Sequence, residues 1–424
     1  MSVVGGGHAV VVGGGVVGLA CAHALLARGC KVTLLDRAQP GAGCSWGNAG
    51  WIVPSFSMPL AAPGQIGRAM RSLLDKDGPL HLEMSALPRL LPWLWQFNTH
   101  CNSDDYRAGA QALVRLNART MQCFDELTAR GVQFEEHRRG VLFLCLDPRE
   151  LQGMHRKLQQ LAEWGGSPVE MLSLAAVREL EPAVTDAVCG ALIIRGERHV
   201  RPDSLTAGLL ASIRAAGADV RSNVSVLDWK VRDGRIVAAQ TSEGEIGGDH
   251  FVVATGVHSR TLVKNLMGNL PLHGGRGYSI TYESNGPGLR NAVDLVEAGV
   301  VCSPFNNGWR IAGLMDLSTA DAQSPPPPPA ARVASLRRAA QSYLRADASA
   351  FAAGFEWSGQ RPLTSDGLPV IGRMPKIANG YLATGHGMLG VTMAPVTAEL
   401  IAEQITTGRA NAAASAFVPE RFGA

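Results

Sequence analysis

Apolar positions recur with two different periods along this chain, and the stretch that begins at His8 shows both in succession. It reads HAVVVGGGVVGLACAHALLARGCKVTLLDR: a β-branched run, a glycine turn, an apolar pattern of helical period, a second apolar run and then an acid. That order predicts a strand, a helix beginning near Val16 and a second strand, a complete βαβ unit. Phe251 to Ser259 (FVVATGVHS) predicts a buried strand ending at Ala254, Thr255 and Gly256. Asn379 to Pro395 (NGYLATGHGMLGVTMAP) predicts a strand, a glycine-rich turn and a helix that continues through Ile405. Tyr106 to Arg130 has a helical pattern, and Val300 to Leu314 alternates as strands do. Ser324 followed by prolines through Pro329 is stiff and lacks N–H donors, which predicts a surface loop before a helix from Arg332 to Arg345. Leu87 to Phe97 (LPRLLPWLWQF), broken by Pro88 and Pro92, predicts a buried helix start; the alternative is a membrane-surface contact, because Trp favours interfaces.

Composition narrows the class. With 424 residues, 46% hydrophobic and 18% charged, the chain has the make-up of a globular protein with a sizeable core, and its length predicts two domains. A formal charge of +3, with no run of Lys and Arg, argues against nucleic acid as a partner. The eight cysteines are scattered without metal-ligand spacing, so neither a metal site nor a disulfide framework is expected. Cys21 and Cys145 sit inside apolar patterns, as free thiols that act as small hydrophobes do, which suggests a reducing compartment. The N-terminus carries no basic leader, and no apolar run reaches about 18 residues, so no transmembrane segment is expected.

The glycine turn is the first candidate site. In Gly13-x-Gly15-x-x-Gly18 the first glycine makes a tight turn, the second admits a pyrophosphate and the third lets helix and strand pack closely. A pyrophosphate at the helix N-terminus would meet the N–H groups of Val16 and Val17. Asp36, with Arg37 beside it, ends the second strand in position to accept hydrogen bonds from ribose. An upstream near-copy, Val3 to Gly7, has Val10 where its third glycine belongs, so the second copy is the functional one. This fingerprint does not separate FAD from NAD. Three other segments favour FAD. Gly43 to Pro54 (GCSWGNAGWIVP) offers Ser45, Asn48, Ala49 and Gly50 as a small-residue loop able to close over a diphosphate and ribityl chain. The strand end at Ala254 to Gly256, with Val224, adds further cofactor contacts. The turn Gly385, His386, Gly387, Met388, Leu389, Gly390 leads into Thr392 and presents a helix N-terminus suited to the N1–C2=O edge of a reduced isoalloxazine. His386 is the titratable side chain of that turn, a candidate catalytic group or a structural one.

Three further segments carry a resemblance: GNAGWIVPSFSMPLAAPG from Gly47, RGYSIT from Arg276, and WSGQRPLTSDGLPVIG from Trp357 with its continuation into TGHGMLGVTMAP. On them the chain resembles the flavin-dependent amine and amino-acid oxidoreductases, a family that includes D-amino-acid oxidase, glycine oxidase and sarcosine oxidase, and within it the bacterial D-amino-acid dehydrogenases. The resemblance implies an α/β fold: a Rossmann-type FAD-binding domain with a second α+β substrate domain built on a mixed, largely antiparallel sheet. It implies a discontinuous FAD domain from residues 1–82, 199–268 and 355–424, and a substrate domain from 83–198 and 269–354. It places the arginine that pairs with the substrate carboxylate at Arg361 in GQRPLTSDG.

An arginine fork suits that role, since it holds a carboxylate with two parallel charge-assisted hydrogen bonds while Cα–H points at flavin N5. Tyr278 is a candidate for a hydroxyl on the carboxylate or a cover for the ring, or is strand core; Arg276 and Arg310 are candidates for a second anchor, or are surface charges. Phe56 stands where a tyrosine is common in the resembled dehydrogenases, which puts a hydroxyl role there in doubt. No cysteine stands in the GQRP segment, where sarcosine-oxidase-like relatives bond the flavin, so non-covalent FAD is expected. The implied reaction is oxidative deamination of a D-amino acid by hydride transfer from Cα to N5, giving an imino acid that hydrolyses to a 2-oxo acid and ammonium. A secondary amine such as hydroxyproline, sarcosine or glycine is the rival substrate, and a non-catalytic flavin redox sensor is the rival class. Dehydrogenases of the resembled group pass electrons to a quinone or a membrane respiratory chain and oxidases to oxygen, a choice the residues leave open. The expected location is cytoplasmic, or peripheral to the inner membrane.

Overall fold

The structure is a computed structural model and describes residues 6–67, 78–283, 286–318, 327–346, 348–351 and 353–423. Most of the upstream near-copy Val3 to Gly7, and Ser324 to Pro326 of the proline stretch, lie outside the described residues. Strand β1 (His8–Val12), helix α1 (Val16–Ala27) and strand β2 (Lys31–Leu35) form the expected βαβ unit, with β1 and β2 parallel from His8↔Lys31 to Val12↔Leu35. They belong to a six-stranded sheet ordered Asp219–Arg221, β2, β1, His250–Val253, Gly380–Thr384, Val370–Arg373; its one antiparallel pairing joins the last two strands. α1 is apolar on most sides because it is packed against the sheet and against the helices Gly390–Thr407 and Pro202–Ala215, so Leu19 and Leu25 are fully buried. Each such leucine contributes about 2 kcal/mol of burial. On the opposite face of the sheet sits a small antiparallel sheet of Val226–Arg232, Arg235–Thr241 and Gly244–Gly247, whose Trp229 packs edge-on against Phe251 at 5.8 Å.

The second large sheet is mixed and mainly antiparallel. Its order is Phe355–Thr364, Leu272–Tyr282, Gly308–Leu317, Val300–Phe305, Ala292–Leu295, Val141–Cys145, Gly190–Ile194, Glu170–Leu172, with Leu80–Leu82 added beside Gly308–Leu317. Phe355–Thr364 and Leu80–Leu82 lie in chain pieces that the sequence reading gave to the nucleotide-binding domain. Their hydrogen bonds run to this second sheet, Phe355–Thr364 pairing with Leu272–Tyr282 and Leu80–Leu82 with Gly308–Leu317, because the pairing partner outweighs the position of the segment in the chain.

Three helices differ from expectation. Tyr106 to Arg130 is two helices, Ser103–Asn117 and Thr120–Ala129, split at Ala118 and Arg119, where Thr120 Oγ1 donates to Asn117 Oδ1 at 3.1 Å inside the core. The helix after the prolines is Ala330–Tyr343, displaced by two residues from the expected span. The helix Leu87–Thr99 contains Pro92 and buries Leu90, Trp93 and Phe97, but it leaves Leu91 and Trp95 exposed. No helix among the described residues is long and apolar enough to cross a membrane. All eight cysteines are free, and no cluster of metal-ligating residues occurs among the described residues.

Candidate active site

The glycine turn separates two kinds of demand. Gly13 has φ +104°, and a Cβ there would stand 2.5 Å from the Ala254 carbonyl oxygen. A Cβ on Gly18 would overlap the Gly13 carbonyl oxygen, so packing requires glycine at both positions. Gly15 is unlike them: its φ of −72° and ψ of 176° suit any residue, and a Cβ would meet nothing nearer than Ser45 Oγ at 3.4 Å. Neither backbone strain nor protein packing calls for glycine at 15. The space in front of it is a cradle that a side chain would fill, at the N-terminus of a helix with no side-chain cap and no acid in its first turn. Ser45 Oγ accepts the Val16 N–H at 2.9 Å, which brings the Gly43–Pro54 loop over that cradle. Asp36 closes the other side, with Oδ2 accepting from Gly14 N at 2.6 Å and Oδ1 from Ala38 N at 2.8 Å, while the Val224 N–H donates to the Asp36 carbonyl at 2.8 Å. Arg37 is exposed beside it. Thr255 Oγ1 is paired with Ser259 Oγ at 3.0 Å.

The same loop continues into a cavity of about 720 Å³ lined by the second large sheet, by the segment from Cys44 to Gln65 and by the turn at Met388 and Leu389. Gly47, Asn48, Ala49, Gly359, Met388 and Leu389 border one part of it. Here the helix Gly390–Thr407 begins, again with no side-chain cap and no acid in its first turn, so its dipole adds positive potential at this end. Gly385 and Gly387 reach it through φ values of +75° and +55°. Trp357 lies between two glycines that leave it room, since a Cβ on Gly47 or Gly359 would overlap its ring. Cys44 also borders the cavity; its exposure is to that space, and burial raises its thiol pKa.

Arg361 reaches the cavity from the strand Phe355–Thr364. Its Nη1 donates to the Leu314 carbonyl at 2.6 Å and its Nη2 to that of Gly313 at 3.4 Å. A Cβ on Gly277, two strand positions away on Leu272–Tyr282, would overlap the guanidinium, so this glycine makes the path that Arg361 takes. Among the described residues no carboxylate forms an ion pair with Arg361, and desolvation pulls its pKa down to about 10. The acid in its neighbourhood, Asp316, is already bonded to the guanidinium of Arg332 at 2.5 Å and to the Tyr278 hydroxyl, which donates to it at 2.6 Å. A desolvated cation facing a cavity without a counter-ion is a binding site for an anion.

The family model for DAO, the FAD dependent oxidoreductases, matches residues 8–404. The chain belongs to this family. It is 32% identical, over 98% of its length and 95% of the other protein, to a D-amino acid dehydrogenase of Cereibacter sphaeroides. Among solved structures it shares its fold with glycine oxidase from Geobacillus kaustophilus (22% identity, 97% of each chain covered, TM-score 0.74). The L-proline dehydrogenase from P. horikoshii has the same fold (19% identity, 99% of this chain and 98% of that one, TM-score 0.74). The protein is thus an FAD-dependent amino-acid or amine oxidoreductase, and the uncapped helix, the open cradle at Gly15 and the cavity fit FAD.

The expected site residues divide once they are placed in this family fold. Arg361 and Tyr278 border the cavity, as do Asn48, Ala49, Met388 and Leu389, though the Tyr278 ring is buried in the core with its hydroxyl on Asp316. Four of the residues singled out from the sequence do not border the cavity: His386, Arg276, Arg310 and Thr392. His386 is buried, bonds Thr397 Oγ1 through Nε2 at 2.9 Å, and is not among the residues bordering the cavity; desolvation lowers its pKa to about 3, so it is a neutral structural group. Arg276 is buried and does not border the cavity. Its guanidinium donates to Ser358 Oγ and the Pro327 carbonyl and lies over the Tyr278 ring at 5.3 Å. Arg310 is fully buried, and its Nη1 donates to the Trp46 and Asn48 carbonyls at 2.7 Å each, so it holds the cofactor loop in shape instead of meeting substrate. The Thr392 hydroxyl donates to the Trp51 carbonyl and accepts from Val53 N–H, which ties strand to helix. As for Tyr278, desolvation and Asp316 raise its hydroxyl pKa far above the ordinary value, so it stays protonated.

Sequence reading missed Gly277, Trp357, Lys157 and Tyr106 as residues of the site. For Gly277 a signal existed, since a glycine inside a strand marks a close approach. The others come from segments whose apolar pattern does not say which sheet they will face.

Behind the cavity wall at Phe56, Glu197 is 1% exposed; its Oε1 accepts Ser55 N–H at 3.0 Å and its Oε2 has no partner. Desolvation raises its pKa to about 7, above the value of 4.5 for an unperturbed Glu. A raised carboxyl pKa favours the fold fully below about 4.5, and that contribution is lost as pH rises through 7. Glu197→Gln is therefore expected to flatten the fall in stability between about pH 5 and 7, by roughly 3 kcal/mol across the window. Urea melts of wild type and variant at several pH values measure this; parallel profiles would show that Glu197 is not the group.

Proposed function

We propose that the protein oxidises the Cα–N bond of a D-amino acid, releasing an imino acid that water converts to a 2-oxo acid and ammonium. The observation that carries this reading is the Arg361 guanidinium, presented to the cavity without a carboxylate of its own. Bound FAD supplies the two-electron acceptor. The chain's residues supply the rest: Arg361 fixes the α-carboxylate, the Gly390–Thr407 helix terminus stabilises negative charge at the cavity end, and the apolar walls exclude water. No side chain bordering the cavity beside Arg361 serves as a strong base at neutral pH, which agrees with a substrate that arrives with its amine neutral. FAD is held without a covalent bond, since the strand that carries Arg361 offers no cysteine. The relative named as a dehydrogenase favours a quinone as acceptor. The exposed Leu91 and Trp95 are a surface by which the protein would approach lipid.

Anaerobic mixing of the holoenzyme with D-amino acids, L-amino acids and N-methyl amines tests the proposal. Bleaching of the oxidised flavin band by D-amino acids is the expected result, and bleaching by L-amino acids or N-methyl amines alone overturns the D-amino-acid assignment. Gly277→Ala gives a second check. Its methyl displaces the guanidinium, so kcat/KM is expected to fall by a factor of ten to a hundred, about 2 kcal/mol, with FAD content unchanged.

A further inference from the structure

The cavity carries a second cation, at the end away from Arg361. Helix Pro148–Glu163 brings Lys157 to the cavity border, with its ammonium 5.8 Å from the centroid of the Phe56 ring. Phe56 stands edge-on to Phe143 at 4.9 Å, above the strand Val141–Cys145. The Arg361 guanidinium, by contrast, is seated on the carbonyls of Gly313 and Leu314 in the strand Gly308–Leu317. Those two strands are separated in the sheet by Val300–Phe305 and Ala292–Leu295, so the strand beneath Phe56 and the strand that seats Arg361 lie about three strand spacings apart, ~14 Å, which sets the order of the gap between the two cations. The wall between them is apolar, formed by Val301, Ala312 and Leu314, with the Tyr106 hydroxyl, which is bonded to Met58 Sδ at 3.6 Å, on the same border.

We propose that Lys157 is a specificity-determining residue that binds a second anionic group, so that the preferred substrates are D-amino acids whose side chain ends in a carboxylate. This rests on the reading of Arg361 as the anchor for the α-carboxylate. A hydrogen-bonded contact of about 3 Å at each end leaves ~8 Å between the outer oxygens of the substrate. An extended backbone of roughly five or six carbons, as in D-glutamate or D-2-aminoadipate, spans that gap. The apolar wall accepts the methylenes, and Lys157 repels a side chain that ends in an amine. Asp294 is a buried acid within range of Lys157. Desolvation raises its pKa to about 7, so near neutral pH it cancels only part of the lysine charge.

The test compares kcat/KM of the holoenzyme, with an artificial electron acceptor, for D-glutamate and D-2-aminoadipate against D-norvaline and D-norleucine. Wild type is expected to favour the diacids at least tenfold. Lys157→Met is expected to reduce that ratio at least tenfold, and Lys157→Glu to invert it and admit D-ornithine. A wild-type ratio at or below one, or a ratio that neither variant changes, overturns the role of Lys157, while turnover of the neutral D-amino acids keeps the function proposed above standing. Absence of turnover with every D-amino acid overturns both.

Discussion

Arg361→Ala is expected to lower kcat/KM for the amino acid by roughly a thousandfold, about 4 kcal/mol, while the protein retains FAD with an unaltered visible spectrum. The magnitude follows from what is lost: a two-toothed, charge-assisted contact in a cavity shielded from water, which positions Cα as well as binding the carboxylate. Retention of FAD follows from the guanidinium's protein contacts, which run to the carbonyls of Leu314 and Gly313 and not to the glycine turn or to the loop at Ser45. Arg361→Lys keeps the charge but not the fork and should recover only part of the loss. Stability is expected to move the other way. A desolvated cation with no counter-ion costs free energy in the folded state, so Arg361→Met should hold or raise the melting temperature as it removes activity. Steady-state kinetics with a thermal melt measures both. An active Arg361→Ala variant would remove the basis of the proposed function, and a clear drop in melting temperature on Arg361→Met would make the residue a structural one.

Gly15→Ala is expected to fold and to bind FAD at least a hundredfold more weakly, whereas Gly18→Ala fails at an earlier step. At position 15 the added methyl meets only Ser45 Oγ at 3.4 Å, in a backbone conformation open to any residue. The cost to the apoprotein is about 1 kcal/mol, from a poorer helix cap. The methyl instead occupies the cradle where a pyrophosphate approaches the N–H groups of α1. At position 18 the methyl overlaps the Gly13 carbonyl, which forces α1 off the sheet and costs about 3 kcal/mol before any ligand is considered. Titration of apoprotein with FAD, beside a melt of each apoprotein, separates the two. Equal FAD affinity in Gly15→Ala and wild type would show that the cradle is not the cofactor site.

Much of the cofactor half was legible in the residues because it depends on local chemistry. The spacing Gly13, Gly15, Gly18 and the acid at Asp36 specify a turn, a helix start and a strand end within one continuous stretch, and the structure has each of them. The glycine turn at Gly385 and Gly387 before a helix was readable in the same way. The substrate half was not. Arg276, Arg310 and Arg361 are each an arginine in or beside a strand, and apart from the resemblance of the GQRPLTSDG segment nothing in their local pattern distinguishes the one that borders the cavity from the two that are buried away from it.

Sequence alone determined the βαβ unit, the positions that must be glycine for the turn, and the class of cofactor, because these follow from backbone conformation and from hydrogen-bond donors a few residues apart. Only the tertiary structure decided that Arg361 borders the cavity while Arg276 and Arg310 do not, that His386 is neutral and spent on Thr397, and that Lys157 shares a cavity with Arg361. Those outcomes depend on strand pairings between segments far apart in the chain, such as Arg361 with Gly275 and Ala292 with Val141, and on the desolvation that results. No local pattern encodes either.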